Sequence, residues 1–357
     1  MRYTYTCPRS KTMNSNRATY DKLIGPDGQP QYGRFNQTFS EVNYRDFKLY
    51  DTMDRPASRL HAHFAFNQFH FISLHSQDYT LACAIANVQY VANAFVYLFE
   101  HKTGQLHPYS FIQPLGFRCT QTSKPFSGAS QFRKGNAKFR ILASQHPKRY
   151  DLQITIGNDI RVTAELSEPE AYEPTVVCTR AGYNGWAFTQ KHAALDVTGD
   201  IQWQQLKIPV DAGKFVGSSD WSCGFMRRET AWNWSSISTR LGDGTRLGLN
   251  LACGVNETSF VENTLWLNNK ASPLAPARFE FNRRNRMEPW KIHTADGRID
   301  LSFVPEGCHK EKINAFLVAS NFTQLPGKYF GTVKDEAGRI YQLKGVNGLI
   351  EDHYAKW

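Results

Sequence analysis

Three ionisable residues have the types and settings that acid–base chemistry on a small molecule requires. Asp220 stands among apolar and aromatic residues, and Glu262 opens the run ENTLWL that follows the apolar segment ending at Cys253. Burial in an apolar environment raises the pKa of a carboxylic acid, which equips either residue to protonate an alkene or a carbonyl. A lysine facing an apolar interior pairs with such a carboxylate or anchors an anionic ligand. We therefore predict Asp220, Glu262 and Lys191 as catalytic residues.

Each of these residues also has a simpler structural alternative. Asp220 can cap a turn or pair with Arg227 or Arg228, and Lys191 can extend its amine to solvent. Glu262 can belong to a polar cluster that ties strand ends together, because a buried carboxylate needs hydrogen-bonding partners.

Polar and aromatic residues near these three predict a ligand-binding set. Asn250 has the opposite parity from Leu247, Leu249 and Leu251. If those leucines pack outward under a covering layer, Asn250 points into the lumen, beside Glu262 or a ligand head group. The tryptophans are alternatively barrel-core packing. The predicted ligand-binding residues are Thr189, Arg228, Trp232, Trp234, Asn250, Asn263 and Trp290.

The closing segment IEDHYAKW contains Glu351, Asp352 and His353. A carboxylate beside a histidine suits general-base chemistry. A polar end to the last strand is the simpler interpretation.

Motifs for metals and cofactors are lacking. His61 and His63 share a parity but have no third ligand at a fitting spacing, so no metal is predicted. Gly242-Asp243-Gly244 is a hairpin turn rather than a phosphate loop, since neither a helix nor a Lys-Ser/Thr pair follows it. We expect no cofactor.

Charge, cysteine content and hydropathy indicate which partners and which cellular compartment to expect. The 357 residues carry a formal net charge of +10 that is spread along the chain, so we expect no nucleic-acid partner. Seven scattered cysteines without a CxxC pair indicate reduced thiols, and no apolar run suffices for a membrane helix or a signal peptide. The prediction is a cytoplasmic protein with no transmembrane segment. Peripheral membrane contact and the oligomeric state stay open.

Short alternating segments separated by turn residues predict an all-β chain of antiparallel strands with few short helices. The clearest hairpin runs from Leu152 to Ala164 around Gly157-Asn158-Asp159, and others centre on residues 241–244 and 335–338. Arg59 to Ser73 alternates and is predicted as a strand. Residues 1–45, without periodicity, are predicted as an irregular arm, followed by barrels over 46–205 and 206–357.

Ordered motifs from Gly182 onward resemble the domain-of-unknown-function family 2804. They are GYNGWAFTQKHAALDVTGDI, SSDWSCGFMRRETAWNWSSISTRLGDGTRLGLNLACG, VENTLWL and the closing GLIEDHYAKW. That family is similar in turn to AttH-like proteins, carotenoid 1,2-hydratases and tocopherol cyclases. Those relatives fold as two lipocalin-like barrels and handle long prenyl or polyene lipids. The resemblance implies two consecutive lipocalin-like (calycin) barrels and an apolar ligand.

One element departs from those relatives. Asp220 keeps the acidic position of their Asp-His-Glu-Trp-Gly element, whereas Trp221 and Ser222 stand in place of His and Glu. An acid that protonates an alkene needs a well-placed partner, and the adjacent His is gone.

Three functions remain open on this basis. The first is a cofactor-free hydratase, cyclase or isomerase acting on a lipid, isoprenoid or polyketide-like molecule, with Asp220 or Glu262 as the acid. The second is a non-catalytic carrier of the same kind of ligand. The third, a basic protein that binds membrane surfaces or nucleic acid, requires six arginines on one exposed face: Arg227, Arg228, Arg278, Arg283, Arg284 and Arg286.

Overall fold

The computed structural model describes residues 20–255, 260–315 and 318–357. Within these ranges the chain forms two large antiparallel β-sheets, one after the other, and a single α-helix. The predicted all-β fold of two consecutive lipocalin-like barrels is confirmed. No helix in the described ranges is long and apolar enough to cross a membrane.

The N-terminal part contains three short strands and two short helical segments. They are β1 (Tyr20–Lys22), β2 (Gly33–Phe35), β3 (Phe39–Glu41), a 3-10 turn (Tyr44–Asp46) and α1 (Arg59–Ala65). β1 pairs with β3, and β2 joins the first large sheet through its pairing with a later strand, Thr175–Ala181. Leu23, Phe39 and Val42 are buried in one cluster with Trp186 and Phe188. The described part of the predicted irregular arm is therefore packed against the first sheet.

The first sheet contains β2 and thirteen further strands. These are β4 (Asn67–His75), β5 (Tyr79–Asn87), β6 (Val91–Glu100), β7 (Gln105–Pro114), β8 (Cys119–Thr120), β9 (Gly128–Lys134), β10 (Ala137–Gln145), β11 (Lys148–Ile156), β12 (Ile160–Ser167), β13 (Thr175–Ala181), β14 (Gly185–Trp203), β15 (Leu206–Val210) and β16 (Val216–Phe225). The main order is β7-β6-β5-β4-β16-β14-β12-β11-β10-β9-β8, with β13 and β15 also paired to β14.

The second sheet contains the ten remaining strands. These are β17 (Glu229–Arg240), β18 (Arg246–Cys253), β19 (Thr264–Leu267), β20 (Lys270–Pro273), β21 (Ala277–Glu280), β22 (Trp290–Thr294), β23 (Ile299–Pro305), β24 (His309–Ala315), β25 (Val318–Lys334) and β26 (Ile340–Lys356). The main order is β20-β19-β18-β17-β26-β25-β23-β22-β21, and β24 pairs with β25.

The boundary between the sheets lies between Phe225 and Glu229, because β15 and β16 still pair with β14. The predicted boundary at residue 205 therefore precedes the change of sheet. As a division into domains it stays a prediction.

The three predicted hairpins are present. β11 and β12 pair around Gly157, β17 and β18 around residues 241–245, and β25 and β26 around residues 335–339. Gly157 has a φ of 56°, which a glycine adopts without steric cost. Local turn chemistry and alternation were therefore sufficient to place these strands.

The predicted strand from Arg59 to Ser73 is wrong in its first half, where α1 occupies Arg59–Ala65. Ser58 caps this helix, since its Oγ accepts a hydrogen bond from the backbone N–H of His61 at 3.1 Å. Strand β4 begins only at Asn67. The alternation of histidine and phenylalanine in this stretch resembled a strand, but the capping serine determined the local structure.

Apolar side chains fill the interior of each curled sheet. In the first sheet Ile72, Leu74, Cys83 and Ile85 belong to a large buried cluster. The corresponding cluster of the second sheet includes Leu247, Leu249, Leu251, Trp290, Phe303, Leu325 and Tyr329. Strands distant in the sheet order, such as β18 and β21, contact each other across this interior. Each barrel is thus a packed core, and open space lies elsewhere.

Candidate functional site

The candidate site is a cleft of about 220 Å³ between the two sheets, hereafter the inter-sheet cleft. Phe69 and Phe71 of β4 and Ala84 of β5 line it from the first sheet, and Trp232 and Trp234 of β17 line it from the second. Side chains alternate along a strand, so these residues face away from the barrel interiors that their neighbours fill. The cleft therefore lies between the two barrels.

Asn250 reaches this region for the opposite reason from the one predicted. Leu247, Leu249 and Leu251 do not pack outward but fill the interior of the second sheet. Asn250 consequently points away from that interior, toward the first sheet. Its side chain accepts a hydrogen bond from Trp234 Nε1 at 2.7 Å.

Three charged residues form one polar wall of the cleft, hereafter the charged cluster: Lys191, Asp220 and Glu262. Lys191 on β14 lies directly opposite Asp220 on β16 in the strand register, which brings the two side chains together. Lys191 Nζ forms an ion pair with Asp220 Oδ2 and lies 2.8 Å from Glu262 Oε1. Only 5% of Lys191 and 4% of Glu262 is exposed, so these two are removed from solvent, whereas the Asp220 side chain is 21% exposed.

Burial and ion pairing act on Lys191 in opposite directions. Burial alone would lower its pKa, but the carboxylates of Asp220 and Glu262 outweigh this effect and hold the pKa above its ordinary value. The side chain is therefore an ammonium ion at neutral pH. Its nitrogen also lies 5.8 Å from the centre of the Trp234 ring, at the distance of a cation–π contact.

Hydroxyl groups on the same strands orient Asp220. Ser222 donates to Asp220 Oδ1 at 2.6 Å, and Thr189 lies 3.3 Å from the same oxygen. Two residues depart from the Asp-His-Glu-Trp-Gly element of the relatives, and Ser222 is the one that lies in the site. Trp221 is fully buried on the opposite face of β16, against Phe188.

The second-sheet side of the charged cluster is held by Asn250, whose Nδ2 donates to Glu262 Oε1 at 3.3 Å and to its backbone oxygen at 3.2 Å. Arg34 of β2 reaches the same place and donates to Thr264 Oγ1 at 2.6 Å. Burial lowers the pKa of Arg34 to about 10, against the opposing effect of the Glu262 charge. Sequence reasoning missed Arg34, because it lies some two hundred residues away in the N-terminal part.

A second polar group lines the cleft from the second sheet. Glu351 of β26 accepts hydrogen bonds from Trp232 Nε1 at 2.7 Å and from Gln324 Nε2 at 3.0 Å. Beside it, the His353 ring centre lies 4.2 Å from that of Trp232. Asp352 alternates to the other face and pairs with Arg286. The polar end to the strand was the simpler interpretation, yet Glu351 and His353 both line the cleft.

Five of the seven predicted ligand contacts do not line the cleft. Asn250 and Thr189 contact the charged cluster from outside the lining, and the other three lie elsewhere. Asn263 is fully buried and bridges Ala252 N at 2.7 Å and the backbone oxygen of Ala275 at 3.0 Å, a structural role. Trp290 lies in the core of the second sheet, where Phe281 stacks on it at 3.7 Å. Arg228 is outside the set of lining residues, and its backbone oxygen receives the N–H of Trp357.

The described residues contain no group of three His, Cys, Asp or Glu side chains arranged to hold a metal ion. His61 and His63 lie on α1.

Of the arginines weighed for a basic face, Arg286 pairs with Asp352 and Arg278 with Glu280. Part of that positive charge is therefore neutralised locally.

The family model for a domain of unknown function, DUF2804, matches residues 15–357. The chain belongs to the DUF2804 family. This match confirms the family resemblance carried by the motifs after Gly182. No curated protein matches the sequence.

Several solved structures are similar to the chain. A structure described as an AttH protein of Nitrosomonas europaea has 14% identity and a TM-score of 0.49, over 81% of this chain and 92% of that one. Kievitone hydratase from Nectria haematococca has 12% identity and a TM-score of 0.48, over 81% and 89%. CghA with Sch210972 has 9% identity and a TM-score of 0.49, over 82% and 88%.

Proposed function

We propose that the protein binds an apolar small molecule in the inter-sheet cleft and moves a proton on it without a cofactor. One observation carries the proposal: a buried, charged cluster forms a wall of a space that is otherwise lined mainly by aromatic and aliphatic side chains. Removing charges from water is costly, and replacing a buried ion pair by apolar residues is often neutral or stabilising. A cluster in this position is therefore more useful to a ligand than to the fold.

The ion pairs favour a base over the acid that the sequence suggested. Lys191 carries its proton, and it offers positive charge to both Asp220 and Glu262. A neighbouring ammonium ion favours the charged form of a carboxyl group. The ion pairs therefore fit a carboxylate that accepts a proton, and not a neutral carboxylic acid that donates one. In the proposed reaction Asp220 takes a proton from one carbon of the bound molecule, and Lys191 stabilises the negative charge that develops. Asp220 then returns the proton to another carbon, which completes an isomerisation. This assignment fits an isomerisation better than alkene hydration.

A test starts from the protein purified out of its own host. Native mass spectrometry and solvent extraction are expected to recover an apolar molecule. When that molecule is returned to the protein in deuterated water, carbon-bound deuterium is expected to appear in it.

The variant Asp220→Asn is expected to lower the exchange rate by about a hundredfold or more, as loss of a general base does. Asp352→Asn is the matched control, because Asp352 is also ion-paired but does not line the cleft. Equal exchange rates in the two variants would contradict the role of Asp220.

A carrier without chemistry is the second candidate, and the saturation of Asp220 favours it. Ser222, Thr189 and Lys191 all contact this carboxylate, which leaves little capacity for a substrate proton. A carrier would release an apolar molecule on extraction and show no deuterium incorporation with the native sequence. Recovery of no apolar molecule would count against both candidates.

A further inference from the structure

The charges around the inter-sheet cleft restrict what its occupant can be. Acidic side chains outnumber lysines among the described lining residues. The acids are Asp220, Glu262, Glu311 and Glu351, and the lysines are Lys191 and Lys356. Lys191 is already shared by two of these carboxylates. Arg34 also acts on Glu262 from outside the lining. The four carboxylates still outnumber these three cationic side chains, so a ligand meets a surplus of negative charge.

Glu311 contributes to this surplus as a carboxylate. Burial alone would raise its pKa, but hydrogen bonds from His309, Ser110 and Asn93 outweigh that effect and lower it. The Asn93 contact is 3.0 Å long and joins the two sheets. Glu311 is thus charged at neutral pH and fixed at the wall of the cleft.

Glu351 is the carboxylate best placed to receive a donor from a ligand. Oε1 accepts a hydrogen bond from Trp232 and Oε2 accepts one from Gln324, while His353 Nδ1 lies 3.7 Å from Oε1. A carboxylate oxygen has two lone-pair positions, so both oxygens retain acceptor capacity. Only 7% of Glu351 is exposed, which strengthens any charge–charge interaction made there.

The aromatic residues around Glu351 favour the same sign of charge. The ring centres of Trp232 and Trp357 lie 6.1 Å apart, and Phe69 lies 5.8 Å from Trp357. Aromatic faces attract cations and not anions. Carboxylates and ring faces together make a setting in which an ammonium group gains two kinds of favourable contact.

We propose that the occupant of the cleft is an apolar molecule with a cationic, hydrogen-bond-donating end, such as a protonated alkylamine, and that carboxylate-ended lipids are rejected. This inference rests on the proposed function, because it assumes that the cleft takes an apolar ligand. It goes further by setting the charge of the polar end.

A matched set of probes tests it on the full-length protein. Decylamine, decanol and decanoate share a chain and differ in the polar end, and each competes with the neutral fluorescent probe N-phenyl-1-naphthylamine at pH 7. We expect decylamine to bind roughly tenfold or more tightly than decanoate, with decanol between them, as one charge-assisted hydrogen bond predicts. Decanoate that binds as tightly as decylamine would overturn the inference.

Two variants test whether the preference for decylamine comes from the charge of Glu351. Glu351→Gln keeps the shape but removes one charge, and it is expected to reduce the preference for decylamine over decanoate several-fold. Glu229→Gln, at the exposed end of β17, removes the same charge outside the cleft and is expected to leave the preference unchanged. Equal effects of the two variants would overturn the inference. Failure of the neutral probe to bind the native protein at all would instead contradict the proposed function.

Discussion

Lys191 stabilises two carboxylates at once. Without its charge, Asp220 and Glu262 would share a buried space as like charges with no cation between them. The stability of the protein should therefore depend on this one amine far more than on an exposed lysine.

The substitution Lys191→Met keeps an unbranched apolar side chain, one atom shorter, and removes the charge. We expect it to lower the free energy of unfolding by about 3 kcal/mol, as breaking a buried ion pair does. Urea denaturation measures this. The control Lys270→Met breaks an exposed pair with Glu173 and is expected to cost about 1 kcal/mol or less. Similar losses in both variants would contradict the account.

Two buried histidines should make stability depend on pH. Burial lowers the pKa of His70 and His75 to about 3, with a smaller opposing effect of Asp220 on His70. Since these values lie below the ordinary 6.5, the unfolded chain binds more protons, and the free energy of unfolding falls as the pH falls. Each histidine contributes up to about 2 kcal/mol between pH 7 and pH 5.

Denaturation of His70→Asn at both pH values checks this. The pH dependence is expected to become shallower than in the native protein, whereas His63→Asn, an exposed position on α1, should leave it unchanged. A pH dependence that is the same in all three proteins would rule out this source.

Strand β14 positions the charged cluster through a bulge. The register with β16 shifts between His192 and Leu195, and Ala194 has a φ of 55°. The backbone N–H of Ala194 donates to Ser238 Oγ of the second sheet at 2.9 Å. One element thus carries Lys191 and also docks the two sheets next to it.

Gly248 of β18 lies against this bulge. A Cβ at Gly248 would lie 2.6 Å from the Cβ of Ala193, which leaves no room for a side chain. We expect Gly248→Val to lower the free energy of unfolding by about 1 to 3 kcal/mol and to weaken probe binding in the cleft. Gly242→Ala, where a Cβ meets nothing within 4 Å, is the control and should change stability by less than about 0.5 kcal/mol. A stable Gly248→Val variant would contradict the close contact.

The sequence predicted those strands and contacts that depend on residues close together in the chain. The hairpin of β11 and β12 follows from alternation around Gly157, and the pairing of Lys191 with Asp220 or Glu262 was one of the alternatives weighed for that lysine. It did not predict α1, because the cap at Ser58 competed with a strand-like pattern. Nor did it predict Arg34, since nothing local connects β2 with Glu262.

For the whole molecule, the docking of two curled sheets produces the cleft. Neither sheet alone encloses it, since Phe71 and Ala84 come from one and Trp232 and Trp234 from the other. Sequence patterns predict which residues share a face of a strand, but not which face meets the other sheet. That is why Trp290 was predicted as a ligand contact and lies in a core instead. The small side chains of Ala84 and Ala86 on β5, which line the cleft, were the available signal in the sequence.

Binding of the neutral probe N-phenyl-1-naphthylamine, followed by quenching of tryptophan fluorescence, tests the cleft most directly. The native protein is expected to bind one probe molecule. Ala84→Trp fills the cleft from the first sheet and should abolish binding while the protein stays folded. Leu206→Trp adds the same ring at an exposed edge strand and should bind as the native protein does. Undiminished binding by a folded Ala84→Trp variant would contradict the claim that the inter-sheet cleft is the ligand site.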